Sequence, residues 1–343
     1  MSRLLAEGRP TVALAPMAGY SDSAMRTVCA EMGADYSVTE MISAKAVTYK
    51  DRRTFTLARI RPEEGAVALQ LFGSDPSVVA EAAAIISGGY GAIPRRGSDE
   101  EDVSVWCAPV AIDINMGCPV NKIFSNGEGS ALMGDPSLIH DIVRAASRAI
   151  SIPLTVKLRA GIDGEHINAV ECALAAQEGG AAAVCVHGRT RRQMYSGLAD
   201  RGVIADVKAA LKIPVIANGD IRRAEDALSM LRDTAADGVA VGRGAVGNPF
   251  LFREIVASFG GGTYEAPTVE ERAGTALYQL RLAVADKGER VAVNEARKQI
   301  GEYFRGLRGA AALRGAVNLA TCYGEIERAV MRMIKEDEEC PLQ

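Results

Sequence analysis

The feature that most constrains the fold is an eightfold alternation of short apolar runs with helical segments. The runs cover residues 11–17, 36–41, 67–72, 110–116, 153–158, 183–186, 214–217 and 238–241. Each has the length of a buried strand and ends in a glycine, a polar residue or both. Eight such alternations in about 250 residues predict an α/β protein built as a closed parallel (β/α)8 TIM barrel. A doubly wound open sheet is the alternative, although it rarely needs so many repeats.

Two of the loops that follow these runs contain signals for the start of a helix. Ser21 or Asp22 can cap a helix extending to residue 31, because a short polar side chain accepts a hydrogen bond from a free backbone N–H. After the third run, Asp75 can cap the next helix and Pro76 suits its first position. The sequence thus predicts a helix directly after each of these two strands.

The composition is that of a globular chain and excludes several classes of protein. It is 48% hydrophobic and 24% charged, and its apolar runs are all far shorter than a membrane span. Residues 11–17 are too short and too interrupted by Pro16 for a signal-peptide core, so we expect a cytoplasmic protein without a membrane partner. Seven cysteines form no CxxC pair, which favours free thiols over disulfides or a zinc site, and we expect no metal.

The pattern changes after residue 258, which predicts two domains. Residues 1–258 form the barrel, with an insertion at 88–109 whose acidic run suits an exposed loop. Residues 264–343 form a smaller all-helical C-terminal domain, and Thr268 with Glu271 makes a plausible capping box at its start. From residue 287 to 314 this domain has seven basic residues against three acidic ones. Such a run is usually a solvated helical face, but with Tyr303 and Phe304 it could also bind a phosphate backbone.

Polar groups collect where the predicted strands end. In a parallel barrel the loops after the strands form the active-site face. The residues at these strand ends are Pro16, Met17, Glu40, Gln70, Asn115, Cys118, Lys157, Arg159, His187, Arg189, Asn218, Asp220, Gly242 and Arg243. This convergence predicts a single active site at that face.

The loop after the fourth run delivers a thiol. Gly117 precedes Cys118 and Pro119 follows it, so the thiol is placed clear of its own backbone and can give or take a proton. Most free cysteines are small buried hydrophobes, and on spacing alone the two interpretations are about equal.

The remaining loops suggest a flat ligand that carries a phosphate. The stretches 218–220 and 242–244 contain glycines that let backbone N–H groups approach an anion. Lys157 could stabilise negative charge on a ring carbonyl or nitrogen, or form a Schiff base. His187 could bind phosphate, serve a structural role or transfer a proton, and Gln70 could recognise a heteroaromatic edge or fix a loop. Flavin mononucleotide matches this description, whereas a dinucleotide-binding fingerprint after the first strand is missing.

These motifs together resemble, in order and spacing, the bacterial branch of the tRNA-dihydrouridine synthase family. They are APMAG at 15–19, QLFG at 70–73, DINMGCP at 113–119, GEGSAL at 127–132, VKLR at 156–159, VHGRT at 186–190, NGD at 218–220, VGRG at 241–244 and ARK at 296–298. The resemblance implies a TIM barrel that uses bound FMN to reduce the C5–C6 double bond of uridines in tRNA, with NADPH as the transient reductant. It also implies that residues 264–343 bind tRNA.

The resemblance assigns roles residue by residue. Cys118 would be the general acid that protonates C5. FMN would be held by Pro16, Met17, Ala18, Gln70, Lys157, His187, Asn218, Gly219, Asp220, Gly242 and Arg243. The substrate would be bound by Asn115, Lys122, Arg159, Arg189, Arg297 and Lys298. The protein is expected to act as a monomer without an obligate protein partner.

Three other functions stay open at this point. A flavin barrel that acts on a free pyrimidine would share the cofactor loops but would need no basic helical domain. A barrel that binds RNA without turnover is the second, although intact Cys118, Lys157 and Gln70 argue against it. A lysine aldolase is the third, and it would contain no flavin.

Overall fold

The predicted barrel is confirmed in a computed structural model that describes residues 4–88 and 107–338. Its strands are β1 (Thr11–Leu14), β2 (Tyr36–Val38), β3 (Ile42–Ser43), β4 (Val67–Phe72), β5 (Ala111–Asn115), β6 (Leu154–Arg159), β7 (Ala183–His187), β8 (Val215–Asn218) and β9 (Gly238–Val241). All pairings between these strands are parallel, and β2 pairs with both β1 and β4. The ring therefore closes through eight strands. The two-residue β3 adds a short pairing beside the end of β4.

Helices follow the strands and surround the ring. They are α1 (Ser23–Glu31), α2 (Ala44–Thr48), α3 (Arg52–Leu57), α4 (Pro76–Ser87), α5 (Asn121–Phe124), α6 (Pro136–Ala149), α7 (Ala169–Gly179), α8 (Arg201–Ala210), α9 (Ala224–Thr234) and α10 (Phe250–Phe259). The predicted caps are present. Asp22 accepts a hydrogen bond from the Met25 N–H at the start of α1. Asp75 accepts hydrogen bonds from the N–H groups of Ser77 and Val78 at the start of α4, where Pro76 is the first helical residue.

Along each strand, the side chains point alternately to the inside and to the outside of the barrel. On β6 the side chains of Leu154, Val156 and Leu158 belong to the apolar core that packs the strands against the helices. Thr155 and Lys157 lie between them and line cavities inside the barrel. Because successive side chains of a strand point to opposite faces, the inward positions are where a polar site can be built without disturbing the outer core.

The chain after α10 is helical, as expected. It contains α11 (Val269–Lys287), α12 (Glu289–Ala296), a 3₁₀ turn (Ile300–Phe304), α13 (Ala310–Leu319) and α14 (Tyr323–Glu338). Thr268 caps α11 by accepting a hydrogen bond from the Glu271 N–H. The buried cluster of this helical region also includes Ala24 of α1 and Phe250 of α10, so the region packs directly on the barrel.

One sequence prediction falls largely outside the described residues. The expected insertion at 88–109 overlaps the described part of the chain only at Gly88 and at residues 107–109, and its acidic run lies outside. Within the described residues, no helix is both long enough and apolar enough to span a bilayer.

Candidate active site

A cleft opens at the carboxyl ends of the barrel strands. Its empty volume is about 1120 Å³ including the open mouth, which is large enough for a cofactor-sized ligand. The sequence-predicted residues that line it are Pro16, Met17, Ala18, Gln70, Asn115, Cys118, Lys157, Arg159, His187, Arg189, Asn218, Gly219, Asp220, Gly242 and Arg243. Five of them follow from strand alternation, since Gln70, Asn115, Lys157, His187 and Asn218 each occupy an inward position close to the end of a strand.

Three predicted substrate residues lie outside the cleft lining. Lys122 is exposed on α5, the short helix that follows the Cys118 loop. Arg297 lies in the helical region and donates a hydrogen bond to the Ala320 carbonyl. The Nζ of Lys298 lies 6.0 Å from the centre of the Tyr20 ring, in the loop after β1. Lys298 therefore reaches back toward the rim of the barrel.

The cleft is also lined by Met41, Tyr195 and Arg222, which the sequence analysis did not single out. The Tyr195 ring lies 4.6 Å from the guanidinium carbon of Arg243 and 5.9 Å from that of Arg159. About half of the Tyr195 side chain is exposed, with a relative accessibility of 53%. Its only sequence signal is an aromatic residue between arginines in a loop after a strand.

The loop that carries Cys118 is held by the side chain of Asn115. The Oδ1 of Asn115 accepts hydrogen bonds from the Cys118 N–H at 2.9 Å and from the Gly117 N–H at 3.2 Å. Burial raises the pKa of the Cys118 thiol, although the Val120 backbone N–H and the cations of Arg159 and Lys157 act in the opposite direction. The thiol therefore keeps its proton at neutral pH, as a proton donor must.

Lys157 and His187 form the basic floor of the cleft. Burial lowers the pKa of Lys157, and its Nζ donates a hydrogen bond to Asn218 Oδ1 at 3.2 Å. Burial, followed by the nearby cations, lowers the pKa of His187 to about 2, so its ring is neutral. The Nη1 of Arg189 lies 3.3 Å from His187 Nε2, and because a guanidinium can only donate, the imidazole proton belongs on Nδ1.

Two buried arginines hold the loop after β7. The Nη2 of Arg189 contacts both carboxylate oxygens of Asp220 at 2.7 and 2.9 Å. Burial alone would raise the pKa of Asp220, but the hydrogen bonds from Arg189 and the Ala199 N–H outweigh it and lower the pKa. Arg159 donates to the carbonyls of Gly117, Thr190 and Met194. Arg159 thus joins the Cys118 loop to the loop after β7.

The first and last strand loops leave room beside the backbone. A Cβ atom added at Gly242 would have Met17 Sδ at 3.6 Å and Ala15 Cβ at 3.9 Å as its nearest neighbours, and both residues line the cleft. A side chain there would enter the cleft, so glycine keeps this space open. Together with Lys157 and Arg243, the open backbone suits an anionic, flat ligand.

Comparisons with known proteins agree with this architecture. A sequence model of one family, Dihydrouridine synthase (Dus), matches residues 13–93 and 106–336. A protein of Rickettsia bellii named "Probable tRNA-dihydrouridine synthase" is 40% identical over 310 residues, covering 90% of each chain. A "tRNA-dihydrouridine synthase B" of Xanthomonas campestris is 38% identical over 312 residues, covering 91% of this chain and 89% of its own.

A solved structure shows a similar fold at low identity. Histamine dehydrogenase from Rhizobium sp. 4-9 aligns with a TM-score of 0.53 and 12% identity, covering 95% of this chain and 62% of its own. The likeness at this identity concerns the barrel fold alone. The match to the family model and the extended identity to the bacterial relatives establish that this chain belongs to the dihydrouridine synthase family.

Proposed function

We propose that the protein reduces specific uridines of tRNA to 5,6-dihydrouridine, with bound FMN, with NADPH as the source of hydride and with Cys118 as general acid. The observation that carries the proposal is that a protonated thiol, Cys118, and a buried cation, Lys157, line one cleft at the strand ends. The names of the bacterial relatives support the choice of tRNA as substrate.

The residues of the cleft fit a flavin mononucleotide. Gly242 leaves an open backbone beside Met17, and Lys157 offers a buried amine in the cleft lining that can donate to an anionic group of the ligand. The residues that would hold the cofactor are Pro16, Met17, Ala18, Gln70, Lys157, His187, Asn218, Gly219, Asp220, Gly242 and Arg243. When bound, the flavin supplies the two-electron chemistry that the amino acids lack, and NADPH would restore it.

The chain's own groups supply the proton and the orientation. As C6 of the uracil receives a hydride, negative charge develops at C5 and O4, and Cys118 Sγ gives its proton to C5. Asn115 positions Cys118 through two backbone N–H groups and is proposed to lie beside the uracil. Lys157 would stabilise negative charge that develops in the cleft.

The substrate is proposed to reach the cleft as a base that has left its stack, because a stacked base cannot enter a recessed site. Residues 264–343, with Arg297 and Lys298, would hold the RNA, and Lys122 would add a contact near Cys118. Arg159 and Arg189 are only 3% and 2% exposed, so as RNA contacts they stay predictions. A cytoplasmic location, the monomeric state and the division into domains at 1–258 and 264–343 also stay predictions.

The proposal is tested with purified full-length protein, NADPH, FMN and tRNA that lacks dihydrouridine. Mass spectrometry should detect dihydrouridine with the wild type and with Cys322→Ala, a matched thiol control in the helical region. Cys118→Ala should lower the rate by about 10²- to 10⁴-fold, the usual contribution of a general acid. Reduction of free uracil in place of tRNA, or an undiminished Cys118→Ala, would refute the assignment.

A further inference from the structure

A chain of hydrogen bonds connects the cleft to a buried carboxylate that the proposed reaction does not use. Gln70 Nε2 donates to Asp113 Oδ2 at 2.7 Å, and Gln70 Oε1 accepts from Asn115 Nδ2 at 2.8 Å. Asn115 Oδ1 in turn accepts from the N–H groups of Gly117 and Cys118. The chain therefore runs from Asp113 to the backbone of the proposed acid through two side-chain amides.

The two ends of this chain determine the orientation of both amides. At one end, the backbone N–H groups of Gly117 and Cys118 can only donate, so Asn115 must turn its oxygen toward them. The Asn115 nitrogen then faces Gln70, so Gln70 must turn its amide oxygen toward Asn115. The amide nitrogen of Gln70 is thereby turned toward Asp113. An ionised carboxylate only accepts, so Asp113 matches this orientation and opposes the flipped one.

The far side of Asp113 is also bonded. Thr155 Oγ1 donates to Asp113 Oδ1 at 2.5 Å, and Thr155 lies directly opposite Asp113 in the pairing of β5 with β6. Gln70 lies opposite Asp113 in the pairing of β4 with β5. Three adjacent strands thus contribute side chains to the carboxylate site.

We propose that Asp113 is a positioning residue that fixes which atoms the amides of Gln70 and Asn115 present to the cleft, and thereby holds the loop of Cys118. Each amide has two N–H groups, and the chain of bonds uses one from each. Gln70 and Asn115 both line the cleft, so the second N–H of each amide would favour a carbonyl oxygen on the edge of a bound ring. The inference deepens the proposed function, and its activity readout rests on that function.

The charges around Asp113 bear on its protonation. The titratable groups that face it are Lys157 on β6, Cys185 on β7 and Tyr36 on β2, and all four residues line one small internal cavity. Burial raises the pKa of Asp113, while the hydrogen bonds from Thr155 and Gln70 and the cation of Lys157 favour its ionised form. A second carboxylate placed beside Asp113 would therefore share a single proton with it, because two adjacent negative charges repel each other.

Exchanging the two ends of the Gln70–Asp113 bond tests the inference. Gln70→Glu places two carboxylates in contact, which must share a proton or separate as the pH rises. In the double variant Gln70→Glu with Asp113→Asn, the new amide can donate to the new carboxylate, whose other oxygen still accepts from Asn115. Asp113→Asn alone is the matched control, because its amide oxygen can still accept from Gln70 while its N–H turns to Thr155.

The readout is the rate at which iodoacetamide alkylates Cys118 between pH 6 and 8, measured by peptide mass spectrometry relative to Cys322 in the same full-length protein. Between pH 6 and pH 8, the ratio of the Cys118 rate to the Cys322 rate should increase about tenfold more in Gln70→Glu than in the wild type. A factor of ten corresponds to one pKa unit. Asp113→Asn and the double variant should follow the wild type. Dihydrouridine formation is compared at pH 8 for Asp113→Asn alone, which should match the wild type.

The outcomes separate the inference from the proposed function. A double variant that keeps the pH dependence of Gln70→Glu, or a Gln70→Glu protein identical to wild type, overturns the positioning role. If Gln70→Glu fails to fold at pH 8, recovery of folded protein by the second substitution supports the role, and failure of both refutes it. Alkylation that follows the expected order in a protein that never forms dihydrouridine would instead refute the proposed function.

Discussion

At the scale of single residues, the protonation of Cys118 gives the site a defined pH dependence. Because burial raises the pKa of this thiol, the proton donor should persist past the ordinary cysteine range of about 8.5 and be lost only at higher pH. Dihydrouridine formation should therefore be level through neutral pH and fall in alkaline solution. Initial rates measured at a series of pH values, with mass-spectrometric detection, check this.

A serine variant distinguishes the thiol from its neighbour. Burial lowers the pKa of Lys157, so this amine could also lose its proton in alkaline solution. The hydroxyl of Cys118→Ser does not titrate in this range, so the variant should react slowly without a cysteine-dependent alkaline decline. An unchanged decline in Cys118→Ser would assign it to Lys157 instead.

Much of the site was predictable at residue scale, because strand alternation alone selects Gln70, Asn115, Lys157, His187 and Asn218. Tyr195 was not, since it lies in a loop where no periodicity indicates direction. The buried environments of Arg159 and Arg189 were also not visible in the sequence. Their guanidinium groups donate to the backbone carbonyls of Gly117, Thr190, Ser196 and Gly197. These contacts depend on how the loops fold together, which the spacing of residues in the sequence does not show.

At the scale of elements, the loop between β9 and α10 meets the 3₁₀ turn of the helical region at Gly247. This residue has φ +66°, and an added Cβ would lie 2.5 Å from the Glu302 carbonyl carbon and 2.6 Å from the Tyr303 nitrogen. Gly261 has the same φ of +66° but no heavy atom within 4 Å of an added Cβ. Comparing substitutions at Gly261 and Gly247 therefore separates the cost of backbone strain from the cost of steric contact with neighbouring atoms.

We predict that Gly261→Ala lowers the free energy of unfolding by about 1–2 kcal/mol, the usual cost of the left-handed conformation. Gly247→Ala should cost about 1–3 kcal/mol more, because backbone atoms of the turn must move to make room. Urea unfolding followed by circular dichroism measures both. Equal losses for the two variants would show that Glu302 and Tyr303 yield to the added methyl without cost.

The elements themselves were predicted to different degrees. The limits of β4 and β9 agree with the apolar runs at 67–72 and 238–241, because both runs have clear polar or glycine boundaries. The run at 36–41 was expected to be one strand, but it ends at Val38, and a second pairing begins at Ile42. Strand ends depend on the partner strand's hydrogen bonds, which a single sequence does not contain.

At the scale of the whole molecule, Lys287 connects the helical region to the barrel. Its Nζ lies 2.5 Å from Asp22 Oδ2 and also contacts Glu295, while Asp22 caps α1 with its other oxygen. Burial alone would lower the pKa of Lys287, but the carboxylates of Asp22 and Glu295 outweigh it and raise the pKa. The lysine side chain is 17% exposed and that of Asp22 14% exposed.

We predict that Lys287→Met lowers the free energy of unfolding by about 1–3 kcal/mol, because two partly buried carboxylates lose their cation. Arg305→Met is the matched control, since Arg305 is 75% exposed in its pair with Glu302 and such pairs contribute about 0–1 kcal/mol. Equilibrium unfolding in urea compares the two. A Lys287→Met protein as stable as Arg305→Met would mean that the Lys287 contacts contribute no more than an exposed ion pair.

The shared burial of Ala24 and Phe250 limits how this molecule could be recombined with its relatives. Both side chains belong to the barrel sequence, yet they are packed in the cluster formed by the helical region. A chimera cut cleanly after α10 would match a foreign helical region to surfaces shaped for another one. The exchangeable unit is discontinuous along the chain: it comprises the helical region together with α1 and the first turn of α10.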